Sequence, residues 1–147
     1  MLRNLVAAAT MTLAAGACLP APLAAAAGGD QLVDVQDGRL QCLISAQFGA
    51  SGRPMAICGL SDGAPFGASP NSTGTSTPLN LAVMTGNAES YWAAGAMPPA
   101  VDRVFLGVGQ SHQANGWTVT DEPGRARVKN DDSGHGLILN VVNWRAF

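Results

Sequence analysis

The chain has 147 residues, nearly half of them apolar, with eight basic against ten acidic residues and a net charge of −2 at neutral pH. That length suits one domain. The sparse, acid-leaning charge argues against nucleic acid or an anionic membrane surface as a partner, because such binders carry a basic patch or stripe.

The first residues read as an export signal. MLRN carries one basic residue, LVAAATMTLAAGACL runs apolar from Leu5 to Leu19, and Pro20 and Pro22 interrupt it before a small-residue tract at Ala24 to Ala27. Charged start, short apolar run and small-residue end are the marks of a secretory signal peptide, residues 1–27, with cleavage after Ala26 or Ala27. The run is shorter than the roughly 20 residues a spanning helix needs, so no membrane span is expected in the mature protein. Cys18 offers an alternative, a lipidated N-terminus anchored at that cysteine. Ala15 stands where lipoprotein signals carry a larger aliphatic residue, so Cys18 is read as part of the discarded signal.

Residues 28–147 are then the secreted domain, and a strand is expected at LVDV. In 39–60 two strand-like runs, LQCLIS and PMAIC, flank the turn formers FGASGRP, which reads as a hairpin. A turn centred near Ala50 sets Cys42 opposite Cys58. These are the two cysteines left after export to an oxidising compartment, so they are expected to form a disulfide. No C-x-x-C spacing is present to make them a reactive dithiol.

SDGAPFGASPNSTGTSTP, residues 61–78, is dense in Gly, Pro, Ser and Thr and is expected to be a long surface loop, with Phe66 as its one apolar anchor. Its NST at Asn71 matches a glycosylation acceptor, a short and common motif. Alternating segments follow. LNLAVM sets Leu79, Leu81 and Val83 against Asn80, Ala82 and Met84, and ESYWAAG returns after a TGN turn. DRVFLGV is a short strand, GWTVT and RARVK form a pair around DEPG, and LILNVV reads as the most buried strand. Strict alternation is the signature of half-buried strands, and no window of the mature chain has a helical stripe. Seven or eight short antiparallel strands punctuated by Gly, Asn and Asp indicate an all-β fold, a small sandwich or barrel.

Chemistry-bearing residues are few. His112 and His135 are far apart, neither with a second histidine or cysteine three to five residues away. Asp131 and Asp132 lie close to His135, but three or four converging ligands are not in view, so no metal site is expected and no cofactor is implied. KNDDSGHG lacks the alternating acidic pattern and late glutamate of a calcium loop. No G-x-S-x-G elbow is present, and two histidines, two glutamates and one tyrosine are a thin supply for acid–base work. Both histidines fall in polar segments, GQSHQANG and NDDSGHG, expected to be surface turns. Trp117 and Trp92 read as core. Tyr91 beside Trp92 must face the other way, and Trp144 near Phe147 is open to either role. Tyr91, Trp144, His112 and His135 are therefore the candidate contacts for a ligand or partner. Two functions follow: a non-catalytic binding module with a protein or envelope component as partner, or a small secreted hydrolase using His135 with Ser111, Ser133 or a nearby Asp.

LNLAVMTG with YWAAG, GQSHQANGWTV, NDDSGHG and the terminal phenylalanine together resemble small exported mycobacterial proteins over roughly residues 39–147. The resemblance implies export and a role outside the cytoplasm, at the envelope or beyond it, and it carries no catalytic residue.

Overall fold

The computed structural model describes residues 29–70 and 78–147. The signal segment with Cys18, and the Asn71 motif, lie outside the described residues. Among the described residues eleven strands run in chain order: β1 Gln31–Val35, β2 Leu40–Phe48, β3 Arg53–Leu60, β4 Leu81–Thr85, β5 Ser90–Ala93, β6 Asp102–Phe105, β7 Ser111–Ala114, β8 Trp117–Glu122, β9 Arg125–Asn130, β10 Gly136–Leu139 and β11 Trp144–Ala146. They form a six-stranded sheet, β5-β4-β3-β2-β1-β6, and a five-stranded sheet, β11-β10-β9-β8-β7. The fold is all-β with two sheets, a small sandwich. Among the described residues no helix is long and apolar enough to cross a membrane.

Alternation decides which side chains meet between the sheets. Val33, Val35, Leu40, Cys42, Ile44, Cys58, Ala82 and Met84 point inward from the larger sheet. Trp117, Val119, Ala126, Val128, Leu137 and Leu139 answer them from the smaller one. Trp117 is fully buried, and its indole N–H donates to the Ser45 carbonyl at 3.1 Å, which removes the penalty of burying that donor. The β2–β3 hairpin pairs Cys42 with Cys58 directly across the ladder, and their sulfurs are bonded within this core. Closing a separation of 16 residues contributes roughly 3 kcal/mol in the chain-entropy account.

Both faces of β2, β3 and β4 are buried, which simple alternation does not foretell. Leu43, Ile57, Leu81 and Val83 face away from the sandwich core and are packed by Leu32, Phe48, Met55, Ala93, Met97 and Ala100. The cover comes from the connection 94–101. It leaves β5 at one edge of the six-stranded sheet and must reach β6 at the other. Five interstrand gaps span roughly 24 Å, and eight extended residues with their junctions reach roughly 30 Å. The segment therefore has to cross nearly straight, and Pro98-Pro99 favours such an extended path. Asn80 ties down its start, donating to the Gly95 carbonyl at 2.8 Å and accepting from the Gly95 N–H at 2.9 Å. Gly59 keeps the crossing close, since a Cβ there would meet Leu81 at 2.9 Å and Met97 at 3.5 Å.

This crossing also corrects the expectation of purely antiparallel strands. β6 enters from the far side and pairs with β1 in parallel, Gln31 opposite Asp102 through Asp34 opposite Phe105. Two other expectations change, for LILNVV and for GQSHQANG. LILNVV is a strand only to Leu139, because Asn140 and Asn143 close a turn (Asn140 N–H to Asn143 carbonyl, 2.9 Å) that leaves Val142 exposed. Residues 61–70 contain no strand, are mostly exposed and are held at Phe66. Phe66 is buried against Trp92, and the Gly67 and Ala68 N–H groups donate to the Val141 and Val142 carbonyls. GQSHQANG is not all turn either: Ser111–Ala114 is β7, and the turn is only Asn115-Gly116, both with positive φ (54° and 79°). That dipeptide is the preferred two-residue hairpin loop.

Candidate functional site

The structure does not gather the four candidate contact residues. Tyr91 stands on edge strand β5 and is exposed. Trp144 lies on β11, half-buried, its ring 5.1 Å from that of Trp92. His112 is half-buried on β7, and its Nε2 bonds the Gln31 side-chain oxygen across the sandwich at 2.7 Å. His135 is exposed in the β9–β10 turn, its Nδ1 bonded to the Phe147 carbonyl at 3.0 Å. Ser133 Oγ accepts from the His135 backbone N–H rather than from its ring. Asp131 is held by Gln113 and Thr118. Both imidazoles thus serve as structural hydrogen-bonding groups, and neither is paired with a hydroxyl nucleophile. Among the described residues no group of three or more His, Cys, Asp and Glu side chains could hold a metal ion.

What the fold does assemble, against the expectation from sparse, acid-leaning charge that no basic patch forms, is a cationic face. Along β9 the inward residues Ala126 and Val128 alternate with Arg125, Arg127 and Lys129, which point away from the core. Register then places Ile138 beside Arg127, and Arg145 beside Ile138. Four of the chain's eight cations therefore share the outer face of the five-stranded sheet, although the chain as a whole is acidic. Glu122 partly neutralises them, accepting from the Nε–H groups of Arg125 and Arg127. Phe147 closes one border with its ring 4.8 Å from the Arg127 guanidinium. The sequence shows the Arg125–Lys129 alternation as the wet face of a strand. Arg145 escapes notice there because its membership depends on the β10–β11 register.

The Arg125 hydrogen bond, joined by that from Arg127, holds the Glu122 carboxyl below the usual glutamate range, and partial burial pushes the other way. A carboxyl lowered on folding stabilises the native state above its unfolded pKa, and this contribution fades as pH falls through the folded value. Arg125→Ala should therefore raise the Glu122 titration midpoint toward the ordinary glutamate value. A carbon-detected NMR titration of its carboxyl reads this directly, and an unmoved midpoint would contradict the assignment of cause.

Two clefts border this sheet. The larger, about 430 Å³, lies between the β2–β3 and β4–β5 turns and the β9–β10 turn, lined by Arg53, Pro54, Gly86, Asn87, Asn130 and Asp132. It contains both a cation and a carboxylate, and Asn130 is engaged with Ser133 and Gly116, so its polarity is largely self-compensated. The smaller, about 250 Å³, lies at the β10–β11 turn and includes Arg125, Ile138, Asn140, Asn143, Trp144 and Arg145. It contains no acidic side chain. Trp144 Nε1 is the one buried side-chain polar atom without a partner among the described residues.

No protein-family model, curated protein or solved structure matches the chain.

Proposed function

We propose that this chain is a non-catalytic binding module acting outside the cytoplasm, at the cell envelope or beyond it. The observation that carries the reading is the outer face of the five-stranded sheet: Arg125, Arg127, Lys129 and Arg145 point away from the core around a cleft without an acidic lining residue. Such a face attracts and orients an anionic partner but contains no proton-transfer pair. The engagement of His112 by Gln31 and of His135 by Phe147 supports binding over hydrolysis. The Cys42–Cys58 bond supports an oxidising location.

Intact mass of the protein recovered from medium and envelope fractions of its native host tests the location. The expected species begins near residue 27 or 28 and lacks both thiol protons of Cys42 and Cys58. Recovery only from the cytoplasm, with Met1 retained and both thiols free, overturns it. The binding half is tested with the double variant His112→Ala/His135→Ala, which should retain any ligand found for the wild type. Loss of a hydrolytic activity in that variant would favour the enzyme instead.

A further inference from the structure

We infer that the cleft at the β10–β11 turn binds an acidic sugar unit, a carboxylate on a saccharide ring, within an anionic glycan that continues over the cationic sheet face. The inference rests on the binding-module reading and names the ligand class of that same surface.

The hydrogen-bonding balance of the cleft is one-sided. Asn140 Oδ1 already accepts from the Val142 and Asn143 N–H groups, both at 2.9 Å, and Asn143 Oδ1 accepts from the Trp144 N–H at 2.8 Å. Backbone N–H groups can only donate, which fixes both amide orientations and leaves the two side-chain NH2 groups unspent. Arg125 uses its Nε on Glu122, and its terminal nitrogens have no partner among the described residues. Arg145 makes no ion pair among the described residues. Two guanidiniums and two amide NH2 groups therefore line the cleft, with both Asn140 Oδ1 lone pairs and one of Asn143 Oδ1 occupied. The complement of such a donor-rich site, with Arg145 unpaired among the described residues and Arg125 shared with Glu122, is an oxyanion, for which guanidinium is the best-matched side chain.

Size and surroundings narrow the class. About 250 Å³ is smaller than the roughly 300–1,000 Å³ of pockets that enclose a whole drug-sized ligand, so one unit of a longer ligand is the natural occupant. Ile138 supplies an apolar contact for a ring on the outer face, while Trp144, opposite the buried Leu139 and packed on Trp92, borders the cleft from the core side, where its indole N–H reports on the cleft. Beyond the cleft the face continues with Arg127, Lys129, Thr118, Thr120 and Ser111, all outward in register. Its carboxylates are Glu122, held by Arg125 and Arg127, and Asp131, held by Gln113 and Thr118, so cations remain in excess. A protein partner would want large apolar anchors at the centre of its contact. Of the exposed large hydrophobics Tyr91, Val101, Phe105, Val108 and Val142, Val142 alone lies at this cleft, in the β10–β11 turn. The cationic face has Ile138 as its aliphatic contact and no exposed aromatic anchor at its centre, which suits a polyanionic saccharide.

The test uses the oxidised, exported chain and its three tryptophan indole N–H signals in proton–nitrogen NMR, with Trp144 assigned through Trp144→Phe. The probes are a glucuronate-containing oligosaccharide, glucose, inorganic phosphate and hexaglutamate. The oligosaccharide is expected to shift the Trp144 signal to saturation while the Trp117 signal stays still, and glucose should shift neither. Arg125→Ala/Arg145→Ala should weaken that binding by about tenfold or more, with the remaining spectrum unchanged as proof of folding. Saturation by phosphate without binding of the oligosaccharide overturns the saccharide and leaves a bare anion site. Tighter binding of hexaglutamate transfers the site to an acidic peptide and overturns the glycan. Silence with all four probes removes the site. An envelope component still retained by the Arg125/Arg145 double variant would then show that the module binds elsewhere, so the site can fail while the function stands.

Discussion

Gly136→Ala is expected to destabilise the protein by more than about 3 kcal/mol, beyond the usual range for overpacked positions. Gly136 starts β10, and its backbone exchanges two hydrogen bonds with Phe147, at 3.1 and 3.0 Å. A Cβ there would run into the Val128 carbonyl oxygen and would lie 2.9 Å from both Lys129 Cα and Phe147 Cζ. Two of the three obstacles are backbone, so no side-chain rotation relieves the overlap. β10 would have to leave β9, breaking the ladder that carries Leu137 and Leu139 into the core. Gly134→Ala is the control, since Gly134 has a φ of 74° with nothing near its missing Cβ. It should cost only the roughly 1–2 kcal/mol of a left-handed alanine. Urea unfolding of the two variants separates the causes, and equal losses would refute the steric one.

The second large effect belongs to Asp121. It is wholly buried on β8 and joins the two sheets at one end of the sandwich. Its carboxylate accepts from the Gln36 backbone N–H at 3.0 Å and from the Gln36 side-chain amide. That amide also donates to the Glu122 and Arg125 carbonyls, each at 3.0 Å. Gln36 has φ 54°, so the β1–β2 turn holds a side-chain-bearing residue in a conformation usually left to glycine. Asp121→Ala strands the buried Gln36 N–H without an acceptor, removes the charge-assisted bond to its amide (which keeps the Glu122 and Arg125 carbonyls) and opens a small void, for an expected loss of about 3 kcal/mol. Asp121→Asn keeps the volume and one acceptor but turns an NH2 toward the other donor, so an intermediate loss is expected. Chemical denaturation measures both. A loss within the roughly 0.5 kcal/mol typical of surface positions would show that the turn does not depend on this carboxylate.

Arg103 and Asp34 form a second tie, made within the larger sheet. Asp34 is buried on β1, and Arg103 reaches it from β6 through two nitrogens. The hydrogen bond to Asp34, reinforced by its charge, raises the guanidinium above its already high ordinary pKa. This pair therefore contributes no titration on the arginine side near neutrality.

Local signals in the sequence determined the elements whose partners lie close along the chain. Alternation marked the inward residues of β8 and β9. The turn formers of 48–54 fixed the hairpin register, and with it the bond between Cys42 and Cys58, because a short loop leaves few ways to align two strands. Only the tertiary structure decided the rest. The parallel seat of β6, the crossing by Met97 and Ala100, and the burial of Leu81 and Val83 on the far face depend on which distant segments meet. A strand has no local record of its non-neighbouring partner. The candidate site divides the same way. Arg125, Arg127 and Lys129 were legible as one wet face, since a two-residue period sets them side by side. Arg145, Asn140 and Asn143 joined them only when the turn after Leu139 fixed the β10–β11 register. The occupied Asn140 acceptor that makes the cleft rich in donors exists only in that folded turn.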